Sequence, residues 1–259
     1  MTIQQDLNTH PTLTDEQIHQ FRTDGYLIVR GLYNPETMKA VSDWSDELSA
    51  GPEEPGKQWF YWEQDQRGGE QKVLCRIEKF LEVHPGFNRF NDGLTGMVSQ
   101  LLEEPALLFK EKINFKQPGG DGFKPHQDSQ AGWERYAGFF VSVLVSIDKA
   151  TIENGCLEIA RGFNNSGLLK REWEPMTDAD IAGMNMTPVP TEPGDVIFFD
   201  SYAPHGSKPN LSDKQRRILY FTYNKAAEGD HRAQYYADKF ESYPPDICRK
   251  AGEEYIFRV

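Results

Sequence analysis

The chain has 259 residues, of which 38% are hydrophobic and 12% aromatic, enough for a substantial core that needs no disulfide staples. It carries 40 acidic against 28 basic side chains, a formal charge of −12 and a pI near 5.0. That balance argues against nucleic acid or an anionic membrane surface as the main partner.

In chain order, residues 1–13 read as a loose polar leader without the apolar run of a signal peptide. A capping box over Thr14–Gln17 opens a helix expected to run to Asp24, where Gly25 breaks it and YLIVRG follows as a strand. Pro35 starts a second helix, with Met38, Val41, Trp44 and Leu48 at helical spacing. Residues 51–71 read as a loop around an aromatic knot, KVLCRIEKF as a strand, and 87–103 as a helix. The whole of 14–105 is therefore expected to be mainly helical support.

From residue 106 the texture changes to short strands between Gly/Pro/Asn turns: ALLFKEKINFK, GFFVSVLVSID, NGCLEIARG, GDVIFFD and RRILYFTYN. Such spacing predicts a sandwich or barrel over 106–224, followed by a C-terminal tail, 225–259. Residues 163–190 form a long insertion of the kind that makes lids. With no repeat and no linker, one domain over 1–259 is the expectation. Cys75, Cys156 and Cys248 form no C-x-x-C pair, which fits a reducing compartment. No stretch reaches the ~20 apolar residues of a membrane span, so a cytoplasmic location is expected.

Chemistry concentrates in GFKPHQDSQAGW, where His126 and Asp128 stand two apart. On an extended segment both point to one side and can converge on a metal. His205, just after GDVIFFD, is a candidate third ligand. Two imidazoles and one carboxylate make a facial triad that leaves positions on a metal open. Arg216, eleven residues after His205, opens the next strand; inside a barrel it would need a carboxylate partner, while adjacent Arg217 must face the other way.

Together HQD, His205 followed by GS, the arginine eleven residues on, and ENGCLEIARG resemble the phytanoyl-CoA dioxygenase family over about residues 14–224. The resemblance implies a double-stranded β-helix, that is, a jelly-roll, cupin-like core within a mainly β chain with flanking helices. It also implies an Fe(II)- and 2-oxoglutarate-dependent dioxygenase that uses O2 to hydroxylate an unactivated C–H of a small polar metabolite, giving succinate and CO2. His126, Asp128 and His205 become the implied iron ligands, and Arg216 with Ser207 the implied hook for the far 2-oxoglutarate carboxylate. Asn114 and Phe123 are implied co-substrate contacts. Asp128 stands where related halogenases carry a small residue, which implies hydroxylation, desaturation or ring closure rather than halogenation. Lys112, Trp133, Trp62, Arg76 and Arg161 are candidate substrate contacts, with Trp59 and Tyr61 beside them, and parts of the chain resemble members acting on small aminoalkylphosphonates. Two other readings stay open: a metal-dependent hydrolase on the same His/Asp/His set, and a non-catalytic cupin-like binding module.

Overall fold

The strand Ala106–Lys116 shows how residue alternation builds this molecule. Ile113 and Phe115 face a fully apolar core, while Lys110, Lys112, Asn114 and Lys116 take the opposite side. In the computed structural model, which describes residues 11–68 and 71–255, this strand lies within a seven-stranded antiparallel sheet. The strands are β1 (Tyr26–Val29), β2 (Trp59–Gln64), β3 (Lys72–Glu78), β4 (Ala106–Lys116), β6 (Phe140–Ser146), β9 (Val196–Asp200) and β11 (Arg216–Lys225). Their order is β1-β9-β6-β11-β4-β3-β2. A four-stranded sheet, β5-β10-β7-β8, comprises β5 (Phe123–His126), β7 (Leu157–Ala160), β8 (Met186–Val189) and β10 (His205–Ser207).

Leu144, Ile197, Phe199 and Ile218 of the larger sheet pack on Leu157, Ile159 and Val189 of the smaller one. The two sheets therefore face each other as a jelly roll, and the gap between them widens into a cavity where polar side chains replace apolar ones. Helices cover the outer face of the larger sheet. They are α1 (Asp15–Asp24), started by the Thr14 capping box and ended by left-handed Gly25; α2 (Pro35–Ala50), capped by Asn34; and α3 (Pro85–Leu102). Phe21, Met38, Val41, Phe87, Phe90, Leu94 and Met97 from these helices bury against Val143, Phe198, Leu219 and Phe221. Losing one such buried ring costs roughly 3–5 kcal/mol.

Three expectations change. Residues 59–64 are strand β2, not loop, and β1, β2 and β3 make the 14–105 region part of the sheet as well as its helical cover. WFYW is apolar on both faces, with Trp59 and Tyr61 in one cluster and Phe60 in the other, so it lacks the polar alternation that marks a strand. The tail contains helix α5 (Arg232–Ser242). The leader falls outside the described residues up to 10, but Leu13 is buried and its amide donates to Gln100 Oε1 at 2.8 Å. The 163–190 insertion holds the short helix α4 (Asp178–Ile181) and strand β8. It is laced to the segment after β5 by Trp173 N donating to Gln130 O and Gln130 Nε2 donating to Glu174 O, both at 2.8 Å.

Candidate metal centre and active site

His126 ends β5 and His205 begins β10, and the two are direct cross-strand partners. Gly206 permits the approach: a Cβ there would lie 2.9 Å from the Phe123 carbonyl oxygen. The imidazole centroids are 4.4 Å apart. Asp128 joins them by a different route from the strand alternation expected, because β5 stops at His126 and Asp128 opens a 3-10 turn. Gln127 sets that turn, donating from Nε2 to the Tyr202 carbonyl at 2.6 Å and from its amide to Gln130 Oε1 at 2.8 Å.

The resulting cluster has its ligand atoms aimed inward. Asp128 Oδ1 lies 4.0 Å from His126 Nε2 and 3.9 Å from His205 Nε2, and Ser142 Oγ donates to Asp128 Oδ2 at 2.7 Å. Each Nδ1–H donates to a backbone carbonyl, His126 to Lys124 at 2.7 Å and His205 to Ala203 at 2.9 Å. That assigns the proton to Nδ1 and leaves both Nε2 lone pairs toward the carboxylate. Burial, and then the charge of His205, push His126 down to about 3; burial likewise lowers His205. Burial would raise Asp128, but His205, Lys110 and Lys112 outweigh it and hold the carboxyl well below its usual range. At neutral pH the set is therefore two neutral imidazoles and one carboxylate.

A cavity of about 790 Å³ opens beside the cluster. Arg216, Ser207, Asn114 and Phe123 all line it. Arg216 is 3% exposed, and its Nε has no hydrogen-bond partner among the described residues; the same holds for Asn114 Oδ1. Ser207 Oγ accepts from Lys116 Nζ at 2.8 Å. Lys116 is buried beside Arg216, and that burial and the guanidinium push its ammonium down to about 7. Arg217 takes the opposite face, bound to Asp148 at 2.8 Å and Asp46 at 2.7 Å.

Of the candidate substrate contacts, Lys112, Trp133 and Arg76 line the cavity. Trp62 does not: strand alternation puts it with Phe60 on the helix-side core, and its indole donates to Glu53 at 2.8 Å. Arg161 does not either, since β7 ends at Ala160 and the guanidinium turns out to pair with Asp24 at 2.6 Å. Trp59 and Tyr61 do not line it either, but pack behind its wall in one aromatic cluster with Trp133 and Tyr235. Lys110, Tyr220, Tyr235 and Lys239 line the cavity without having been singled out, and Lys116 reaches only its Ser207 edge. The one signal for Lys110 and Lys116 was the alternation KEKINFK, which a half-exposed surface strand shows equally well. Nothing in the tail marked Tyr235 or Lys239.

A family model described as phytanoyl-CoA dioxygenase (PhyH) matches residues 21–218. The chain is 40% identical over 245 residues to a 2-aminoethylphosphonate dioxygenase of an uncultured bacterium, HF130_AEPn_1, covering 93% of each chain. It is 37% identical over 235 residues to a methylphosphonate hydroxylase of Gimesia maris, covering 90% of this chain and 88% of that one. Among solved structures, EctD from S. alaskensis with 2-oxoglutarate and 5-hydroxyectoine superposes with a TM-score of 0.72 at 20% identity, over 85% of this chain and 79% of that one. That likeness speaks for the fold.

Proposed function

The chain belongs to the phytanoyl-CoA dioxygenase family, and we propose that it is an Fe(II)- and 2-oxoglutarate-dependent hydroxylase acting on a small phosphonate. The observation that carries the cofactor reading is the pairing of an inward-facing His126/Asp128/His205 set with a buried Arg216 that has no ion-pair partner among the described residues, in one cavity. The donor set fits iron: two Nε2 atoms freed by Nδ1 hydrogen bonds and one ionised carboxylate are the facial arrangement of non-haem Fe(II). Arg216 fits a carboxylate, because a buried guanidinium without an anion is costly and a bidentate partner relieves it. A metal-dependent hydrolase would leave that arginine without a role.

His126, Asp128 and His205 would hold the iron, while Arg216, Ser207 and Lys116 would receive the distal carboxylate of 2-oxoglutarate. When bound, the iron with 2-oxoglutarate and O2 supplies the oxidising power to hydroxylate an unactivated C–H, with succinate and CO2 as co-products. Ser142 orients the Asp128 carboxylate, and the Lys124 and Ala203 carbonyls hold the imidazole tautomers. The phosphonate rests on the relatives' names and on the excess of cations lining the cavity. Among the described residues no helix is long and apolar enough to cross a membrane; a cytoplasmic location is part of the proposal.

The test is an anaerobic titration followed by turnover. Fe(II)-loaded protein should develop a visible charge-transfer band when 2-oxoglutarate is added, and release succinate with O2 and methylphosphonate or 2-aminoethylphosphonate. His126→Ala and His205→Ala should abolish both signals while keeping the melting curve. Undiminished succinate release by either variant overturns the assignment.

A further inference from the structure

The cavity holds a second cationic group that neither the triad nor the Arg216 hook uses. Lys110 and Lys112 alternate on β4, face the cavity together and sit on aromatic surfaces. Lys110 Nζ is 3.9 Å from the Trp133 ring centroid and 5.6 Å from that of Tyr235; Lys112 Nζ is 4.8 Å from that of Tyr220. No hydrogen bond or ion pair to a described residue holds either ammonium. The carboxylates that influence them are committed elsewhere. Asp128 belongs to the triad, and Glu78, the cross-strand partner of Lys112, binds Arg76 at 3.1 Å and Lys239 at 2.6 Å. Burial, and then Lys112, lower Lys110 well below the ordinary lysine range; burial, and then Arg76, push Lys112 down to about 8.

Two desolvated ammoniums side by side repel one another and lack a counter-charge, an arrangement that a ligand of charge −2 completes. A monocarboxylate leaves one of them uncompensated. The place is distinct from the 2-oxoglutarate hook, since Arg216 pairs with Lys116, about 20 Å along β4 from Lys110. It is close to the metal set instead. Ser142, which binds Asp128, pairs with Thr222, and Thr222 pairs with Lys110, so all three lie in one cross-strand row. A short molecule anchored at Lys110 and Lys112 therefore presents its carbon chain toward the His126/Asp128/His205 face.

We propose that Lys110 and Lys112 together seat the dianionic head group of the primary substrate and select phosphonates over carboxylates of similar size. This rests on the phosphonate reading above, and its test separates the two. Calorimetric titration of the Fe(II)- and 2-oxoglutarate-loaded protein under nitrogen, with methylphosphonate, 2-aminoethylphosphonate, inorganic phosphate and acetate as probes, reads the seat without turnover. Wild-type protein should bind acetate about tenfold or more weakly than methylphosphonate. Lys110→Met and Lys112→Met should each raise the Kd for either phosphonate about ten- to a hundredfold, while the Kd for 2-oxoglutarate stays within about twofold because the hook is distant. Lys112→Arg, which keeps the charge, should restore most of the affinity. Acetate and methylphosphonate binding equally to wild-type protein, or unchanged phosphonate affinity in both Met variants, overturns the seat even where phosphonates are oxidised. Phosphonate binding that the Met variants lose, with no succinate release by wild-type protein, upholds the seat and overturns the proposed reaction.

Discussion

Arg216 and Arg217 are adjacent, equally basic and both buried, yet their surroundings are opposite. Arg217 meets Asp148 and Asp46, so its charge is compensated within the fold. Arg216 faces the cavity, and burial depresses its pKa with no ion pair to a described acid. The expected outcome is a clean division of effects. Arg216→Ala should weaken 2-oxoglutarate binding by roughly 2–5 kcal/mol, the cost of truncating one member of a buried, hydrogen-bonded charge pair. Arg217→Ala should leave that affinity alone and lower stability by roughly 1–3 kcal/mol, because Asp148 loses its partner. Titrating 2-oxoglutarate and melting both variants decides between them. If Arg217 controls the co-substrate and Arg216 the melting temperature, the facing of β11 is misassigned.

At the scale of elements, α5 closes the cavity side of β3 through one buried link. Lys239 of α5 donates to both oxygens of Glu78, at 2.7 and 2.6 Å, and Arg76 donates to the same carboxylate. Burial alone would raise Glu78, but Lys239 and Arg76 prevail and bring it from 4.5 to about 2. A carboxyl depressed in the folded state contributes stability that is present above its unfolded pKa and lost as pH falls through the folded one. Melting temperature should therefore drop between about pH 4.5 and pH 2 in part through this link. Glu78→Gln should be less stable at neutral pH and show a shallower fall across that window. A variant with the wild-type slope would show that Glu78 is not the group being titrated. The same link places Tyr235 and Lys239 on the cavity wall, so its loss should also weaken substrate binding.

A chain of net formal charge −12 encloses a cavity lined by Arg76, Lys110, Lys112 and Arg216. Anionic ligands relieve strain that the folded chain otherwise carries, and they bind only that state. Fe(II) with 2-oxoglutarate at about 100 times its Kd should add about 2.7 kcal/mol of stability. For a chain of this length that is a rise of roughly 5–10 °C in melting temperature. A chelator should reverse it. Arg216→Ala should melt at or above the wild-type temperature without ligand, since an uncompensated buried charge is gone, and lose most of the ligand-dependent rise. An equal rise in wild type and variant would show that 2-oxoglutarate does not use this arginine.

Much of this was legible in the chain because local chemistry carries it. The Thr14 capping box, Pro35 at a helix start and the β-branched and aromatic strands from 106 onward act over a few residues, and the elements they predict are present. HQD and the distal His205 marked the cluster, and strict alternation separated Arg216 from Arg217. What the sequence left undecided depends on long-range contacts. Whether Lys110 and Lys112 meet water or a cavity depends on the smaller sheet and α5, which lie far away in sequence. Trp62 and Arg161 looked as suitable as Trp133 and Arg76, but the alternation of β2 sends Trp62 to the helix-side core and the end of β7 leaves Arg161 with Asp24. A side chain's type sets what it can bind; only the packing of sheet on sheet sets whether water reaches it, and that decides which cations stay uncompensated.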